Sequence, residues 1–270
     1  TVANGTASNI TTADNRNYSV TITPTNQGTV TVNVSTNAAY DAAGNGNTLF
    51  NAMTRVYDTI GPNVTIDSTA GSYTNISLIP VSITFNENVT DMQISDITVT
   101  NGTAGMLRGS GSTYTISIAP IGEDQITISI GSGSVIDAAG NANYESNEYT
   151  LIYDITSPIL SISSSSNNVT NTSPIPVTFT FNEAVTGFTL ADITVTNGTA
   201  SNLNNTDNMT FTATITPSSQ GNVRVNVASS VASDAAGNGN TAAAEFVCAY
   251  DTTRPSASIL SSAAAYITST

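Results

Sequence analysis

The pentapeptide Asp-Ala-Ala-Gly-Asn occurs three times, at Asp41 to Asn45, Asp137 to Asn141 and Asp234 to Asn238, in steps of 96 and 97 residues. A fixed period of this size means that one small domain has been copied along the chain, so a reading of one copy can be checked on its sisters. The other motifs recur at the same step.

Within a copy the apolar residues alternate with polar ones. Tyr18, Val20 and Ile22 do so first, then Val30, Val32 and Val34 after a Thr-Asn-Gln-Gly turn. The counterparts are Tyr114/Ile116/Ile118 with Ile126/Ile128/Ile130, and Phe211/Ala213/Ile215 with Val223/Val225/Val227. Period-two alternation over five to seven residues predicts antiparallel strands with one face inward and one wet. Earlier in the complete copies Val81/Ile83/Phe85 and Val177/Phe179/Phe181 do the same. Seven or so short strands per copy, punctuated by Gly, Pro, Asn and Ser and without helical periodicity, predict an all-β chain of tandem immunoglobulin-like β-sandwich repeats of about 97 residues. With no Trp and a single Cys, it is not the antibody variety. The expected division is 1–58, the C-terminal half of a repeat; 59–154 and 155–251, two complete repeats; and 252–270, the start of another. The segment reads as part of a longer chain.

Charge narrows the partners. Five Lys+Arg, all arginine, against 19 Asp+Glu give a formal charge of −14. Nucleic acid and anionic lipid surfaces need clustered positive charge and are poor partners; cations are better ones. No apolar run approaches the ~20 residues of a membrane helix, so no membrane insertion is expected in this segment. The absence of lysine excludes Lys–Asn isopeptide crosslinks, so any stiffening must be noncovalent. Cys248 occupies a position held by Leu151 and Arg55 in the other copies and reads as structural filler.

Four motifs recur in order: a linker that opens Tyr-Asp and closes in Pro (Tyr57 to Pro62), a Thr-Phe-x-Glu-x-Val-Thr turn (Thr84 to Thr90), an Asp-Ile-Thr-Val-Thr-Asn-Gly-Thr stretch (Asp96 to Thr103) and the Asp-Ala-Ala-Gly-Asn loop. In these the chain resembles the bacterial Ig-like domain repeats of large surface adhesins. The resemblance covers essentially the whole chain and implies an extracellular, cell-surface location. It specifies the fold and leaves function open, because one fold hosts many activities.

In a seven-stranded sandwich the incoming linker, the turn after the second strand and the loop before the last strand meet at one pole. That predicts two oxygen-rich constellations: Asp58, Glu87, Asp137 and Asn141, and Asp154, Glu183, Asp234 and Asn238. Hard oxygen ligands from a linker and two loops suit Ca²⁺, which takes six to eight oxygens in flexible geometry. The alternative is a plain turn, with Asp bonding its own backbone and Gly or Asn at positive φ. The recurrence of Asp just before each new domain favours the ligand reading, since a turn alone gives no reason for it.

Thirteen Asn-x-Ser/Thr sequons make the chain a candidate glycoprotein, although its composition alone would produce many. No catalytic site is expected: His and Lys are absent, and the carboxylates recur once per domain rather than forming one cleft. The expected function is a non-enzymatic stalk or filament segment of a large cell-surface protein, its linkers stiffened by calcium. Its partners would be neighbouring repeats of the same chain and, in a filament or surface layer, copies of itself. The alternatives are an adhesive module binding a host, surface or neighbouring-cell ligand, and a subunit of a strand-exchanged polymer.

Overall fold

Residues 1–260 are described by the computed structural model. The end of the segment expected to open a further repeat, 261–270, lies outside them, and 252–260 form no helix or strand. The chain divides into two compact units, Thr1–Ser72 with Ile76–Leu151, and Tyr73–Asn75 with the chain from Ile152 onward. Strand makes up 48% and helix 2%, in keeping with the all-β expectation.

In the second unit one antiparallel sheet runs Leu160–Ser163, Ile175–Phe181, Thr210–Pro217, Gly198–Asn205. A second sheet runs Val169–Thr170, Phe246–Tyr250, Gly221–Val227, Ile193–Thr196, with its first strand parallel to its neighbour. The alternation pays out as burial: Val177, Phe179 and Phe181 from one sheet and Val223, Val225 and Val227 from the other all lie in one core. The Phe188 ring fills it edge-on, 5.5 Å from Phe181 and 5.1 Å from Phe211 between centroids. Each such aromatic contact adds about 0.5–1.5 kcal/mol beyond the area it buries. Cys248 and Leu151 are both buried, so the position they share is a core site in the two complete copies.

The first unit holds the same sandwich, with Gly102–Ala104, Thr113–Pro120, Ile79–Phe85 and Val64–Ser68 in one sheet. Ile97–Thr100, Asp124–Ile130 and Tyr149–Tyr153 form the other. Ahead of it the hairpin Gly5–Thr12 with Tyr18–Pro24 accompanies a sheet of Val2–Ala3, Gly28–Val32 and Met53–Tyr57. The strands fall where the alternation puts them, and Val30 is buried, but the inward residues at the start of Tyr18–Pro24 are exposed. Tyr18 and Val20 are 61% and 43% exposed, whereas the corresponding Tyr114 and Ile116 are 7% and 4% exposed. The reason is positional. Thr113–Pro120 carries Ile79–Phe85 along one edge, and the same edge of Tyr18–Pro24 carries no strand among the described residues.

Candidate functional site

Asp-Ala-Ala-Gly-Asn builds a self-contained loop. In the first complete copy the Asp137 carboxylate accepts from the backbone N–H groups of Ala139 (2.8 Å) and Asn141 (2.9 Å) through Oδ1, and from Asn141 Nδ2 (2.8 Å) through Oδ2. Gly140 takes φ +92°, which needs glycine. The Asn141 side chain, foremost, and these backbone donors hold the Asp137 carboxyl below the usual carboxylate range. Asp41 makes the same bonds with Ala43 and Asn45, and Asp234 with Asn238. Two residues on, a buried asparagine anchors the loop: Asn240 Oδ1 accepts from Val231 and Ala232 N–H, both 2.9 Å, while its Nδ2 donates to Ala228 and Thr241 carbonyls at 2.9 and 2.8 Å. Asn143 plays that part in the earlier copy.

The turn after the second strand is pinned by its asparagine. Asn86 Oδ1 accepts from Asn63 N–H (2.8 Å) and Asn182 Oδ1 from Ile159 N–H (2.6 Å), tying the turn to the incoming linker. Ile136 and Asp137 then pair with Thr90 and Val89, drawing the loop to the same turn. At Gly61 a Cβ would fall 1.9 Å from the Ala142 carbonyl oxygen, so only glycine lets the linker lie on the loop there.

These constraints gather the expected carboxylates. Asp58, Glu87 and Asp137 in the first unit, and Asp154, Glu183 and Asp234 in the second, each present an oxygen within 4.8 Å of the others. Asp137 and Asp234 are buried, and the other four are half-buried. Burial first, then the charges of Asp58 and Asp137, raise the Glu87 carboxyl above the ordinary range. Burial, then Asp234 and Asp154, do the same to Glu183. The asparagines stand differently. Asn141 and Asn238 point their Nδ2 at the aspartates, and Asn238 also donates to the Asp154 carbonyl (2.9 Å) while its Oδ1 accepts from Asn75 Nδ2 (3.1 Å). They brace the acidic groups. The loop at Asp41 has the same internal bonds and belongs to no such trio among the described residues.

The linker aspartates also have a local role that the sequence reading overlooked. Asp58, Asp154 and Asp251 each accept through Oδ1 from the N–H two residues on, at 3.0, 2.9 and 2.8 Å. A turn therefore does give Asp a reason to recur at that place. Gln27 and Gln220 were missed as well. Gln27 accepts from Thr59 N–H (3.1 Å) and donates to its hydroxyl (2.7 Å); Gln220 does likewise with Thr252 N–H (3.1 Å) and the Thr253 hydroxyl (2.9 Å). The available signal was the pair Gln27-Gly28 and Gln220-Gly221, repeated ahead of the same strand.

A profile of the bacterial Ig-like domain matches the chain twice, over residues 58–152 and 154–249. Among solved structures the chain is similar to InvD of Yersinia pseudotuberculosis, at 18% identity and TM-score 0.36, covering 73% of this chain and 60% of that one. It is also similar to invasin, described as a bacterial integrin-binding protein, at 15% identity and TM-score 0.37, covering 77% of this chain and 44% of that one. A third is the D0-D1 domain of intimin, at 17% identity and TM-score 0.23, with 70% and 99% covered. The chain thus spans less than two thirds of InvD and of invasin. No curated protein matches it.

Proposed function

The chain belongs to the bacterial Ig-like domain family, and from that premise we propose that it is a non-enzymatic stalk or filament segment of an extracellular, cell-surface protein whose linkers are stiffened by Ca²⁺ at its two carboxylate trios. The family is consistent with a structural or adhesive extracellular module. The observation that carries the calcium reading is Glu87 and its twin Glu183. Each aspartate of a trio has backbone or amide donors to satisfy, but neither glutamate accepts a hydrogen bond among the described residues. Each is half-buried beside two other carboxylates, which only raises its energy when ionised. A cation turns that repulsion into attraction.

The donor set fits Ca²⁺. Oxygens within 4.8 Å of one another can share an ion whose bonds are about 2.3–2.6 Å long, and three carboxylates plus water reach its coordination number. Without His and with one distant, buried Cys, the nitrogen and sulfur ligands that structural zinc favours are missing. Asp58 and Asp154 belong to linkers, and their partners belong to the turn and loop that follow, so a bound ion would hold each linker to the copy it enters.

Support for a stalk over a binding surface comes from comparing the copies. Inward Val223, Val225 and Val227 match Ile126, Ile128 and Ile130, while outward Arg224 and Asn226 replace Thr127 and Ser129. A recognition face carried by each repeat would keep its exposed anchors. Calorimetric titration of the EDTA-stripped full chain with CaCl₂ tests the metal. Two sites are expected in the wild type and none in Glu87→Gln/Glu183→Gln; an absence of binding at millimolar Ca²⁺ refutes it. Micromolar binding of a cell-surface glycan or protein by the full chain would replace the stalk with an adhesive module.

A further inference from the structure

Tyr73–Asn75 belongs to the compact unit that holds Ile152 onward, although its neighbours in sequence do not. Its strand, Tyr73–Thr74, runs parallel to Ile152–Tyr153, and its polar groups continue the attachment. The Thr74 carbonyl accepts from Asp154 N–H (3.1 Å), and the Asp154 carbonyl accepts from Asn238 Nδ2 (2.9 Å). Asn238 Oδ1 in turn accepts from Asn75 Nδ2 (3.1 Å). Because Asn75 follows Thr74, these bonds close a ring through Thr74, Asp154, Asn238 and Asn75. Asn238 is only 9% exposed, so its amide oxygen depends on a protein donor, and Asn75 supplies it.

The arrangement discriminates between residue types. Asn238 Nδ2 gives its hydrogens to Asp234 Oδ2 (2.9 Å) and to the Asp154 carbonyl, which turns its oxygen toward residue 75. Only a donor completes it there. An aspartate at position 75 would set a carboxylate against that oxygen, and an aspartate at position 238 would set one against Asp234. The strand end also recurs: Val169–Thr170 runs parallel to Ala249–Tyr250, the Thr170 carbonyl accepts from Asp251 N–H (2.9 Å), and Asn171 follows. We infer that Thr74-Asn75 is an interaction surface for the Asp-Ala-Ala-Gly-Asn loop of Asp234 to Asn238, and that Asn75 is the side chain that recognises it, through the amide oxygen of the loop's last residue. The latch needs no ion. Its bonds join backbone and amide groups, and neither the Glu183 nor the Asp154 carboxylate takes part in them. It therefore goes beyond the calcium reading and holds the linker when metal is absent.

Hydrogen exchange of the Asp154 amide, measured by NMR on the full chain in EDTA, reads the latch, because that N–H is bonded to Thr74. Asn75→Ala is expected to speed it about tenfold, since loss of the donor leaves a buried acceptor unmet. Asn75→Asp should speed it at least as much, while Gly221–Val227 and Asp124–Ile130 exchange as in the wild type. In an Asn238→Ala background Asn75→Ala should add nothing, because the partner is already gone. Unchanged Asp154 exchange in either Asn75 variant overturns the proposal. So does equal acceleration with and without the Asn238 side chain, which would mean that Asn75 acts through something else. Protection of Asp154 that appears only on adding Ca²⁺ overturns it as well, because the ion would then be the fastener. The variants are compared without metal, so the result is separate from whether the carboxylate trios bind Ca²⁺.

Discussion

Replacing Asn240 by Ala isolates the contribution of a single side chain to the loop that carries Asp234. The Asn240 side chain is 1% exposed and makes four hydrogen bonds, to two backbone N–H groups and two carbonyls. At about 1 kcal/mol net each, its loss costs about 4 kcal/mol, and the four backbone groups left behind have little access to water. Asn47 occupies the same place in the half copy, where it bonds Ala39 N–H and the Ser35 and Thr48 carbonyls in a more open setting. Water can replace that asparagine, so Asn47→Ala should cost about 1 kcal/mol. Native-state amide exchange on the full chain reads each copy separately, from the strands Gly221–Val227 and Gly28–Val32. Because Asp234 is held two residues from the Ala232 N–H that Asn240 binds, the variant should also weaken Ca²⁺ at the second trio and leave the first unaffected. Equal costs for the two substitutions, or less than about 1.5 kcal/mol for Asn240→Ala, would refute burial of those backbone groups as the source of the effect.

Calcium at a hundred times its dissociation constant should stabilise each complete copy by about 2.7 kcal/mol, read by thermal unfolding with and without EDTA; no shift in either copy refutes the trios as sites. In EDTA the pH dependence has a definite sign. Glu87 and Glu183 have folded pKa values above the ordinary 4.5, so their contribution is full below that value and is lost as pH rises through the raised one. The metal-free chain should therefore gain stability as pH falls through the raised values toward 4.5, whereas in Ca²⁺ protons compete with the ion and acidification should destabilise. Asp137 works the other way: its lowered pKa gives stability above 3.8 that is lost as pH falls through the folded value, which separates the two groups in an acid titration. Gln27→Ala should speed amide exchange at Thr59 about tenfold and leave the core strands unchanged; unaltered exchange would mean that the clasp does not hold the linker.

What the sequence made legible follows from the range of the forces involved. Period-two alternation reports which face of a strand is apolar, and in the complete copies that face is buried at every position from Val223 to Val227. Tyr18 and Val20 carry the same pattern and are exposed where the described residues hold only the back half of a repeat. The acidic constellation was readable because the poles of a sandwich bring fixed connections together, and three of the four side chains named for each site converge. For Asn141 and Asn238 the sequence gives a residue type without an orientation; in the fold each amide nitrogen donates to its aspartate. Asp58 has a second, local role as well. Its bond to Ile60 N–H spans two residues, a local effect that spacing between domains does not reveal. Two causes now account for one aspartate, and they separate chemically. Asparagine at position 58 keeps a carbonyl oxygen for the turn and loses the charge, while alanine loses both. If Asp58→Asn retains the ordered linker in EDTA and no longer tightens with Ca²⁺, the carboxylate is there for the ion. If Asp58→Asn behaves as wild type in both conditions, the turn alone explains the residue, and Glu87 must answer for the trio by itself.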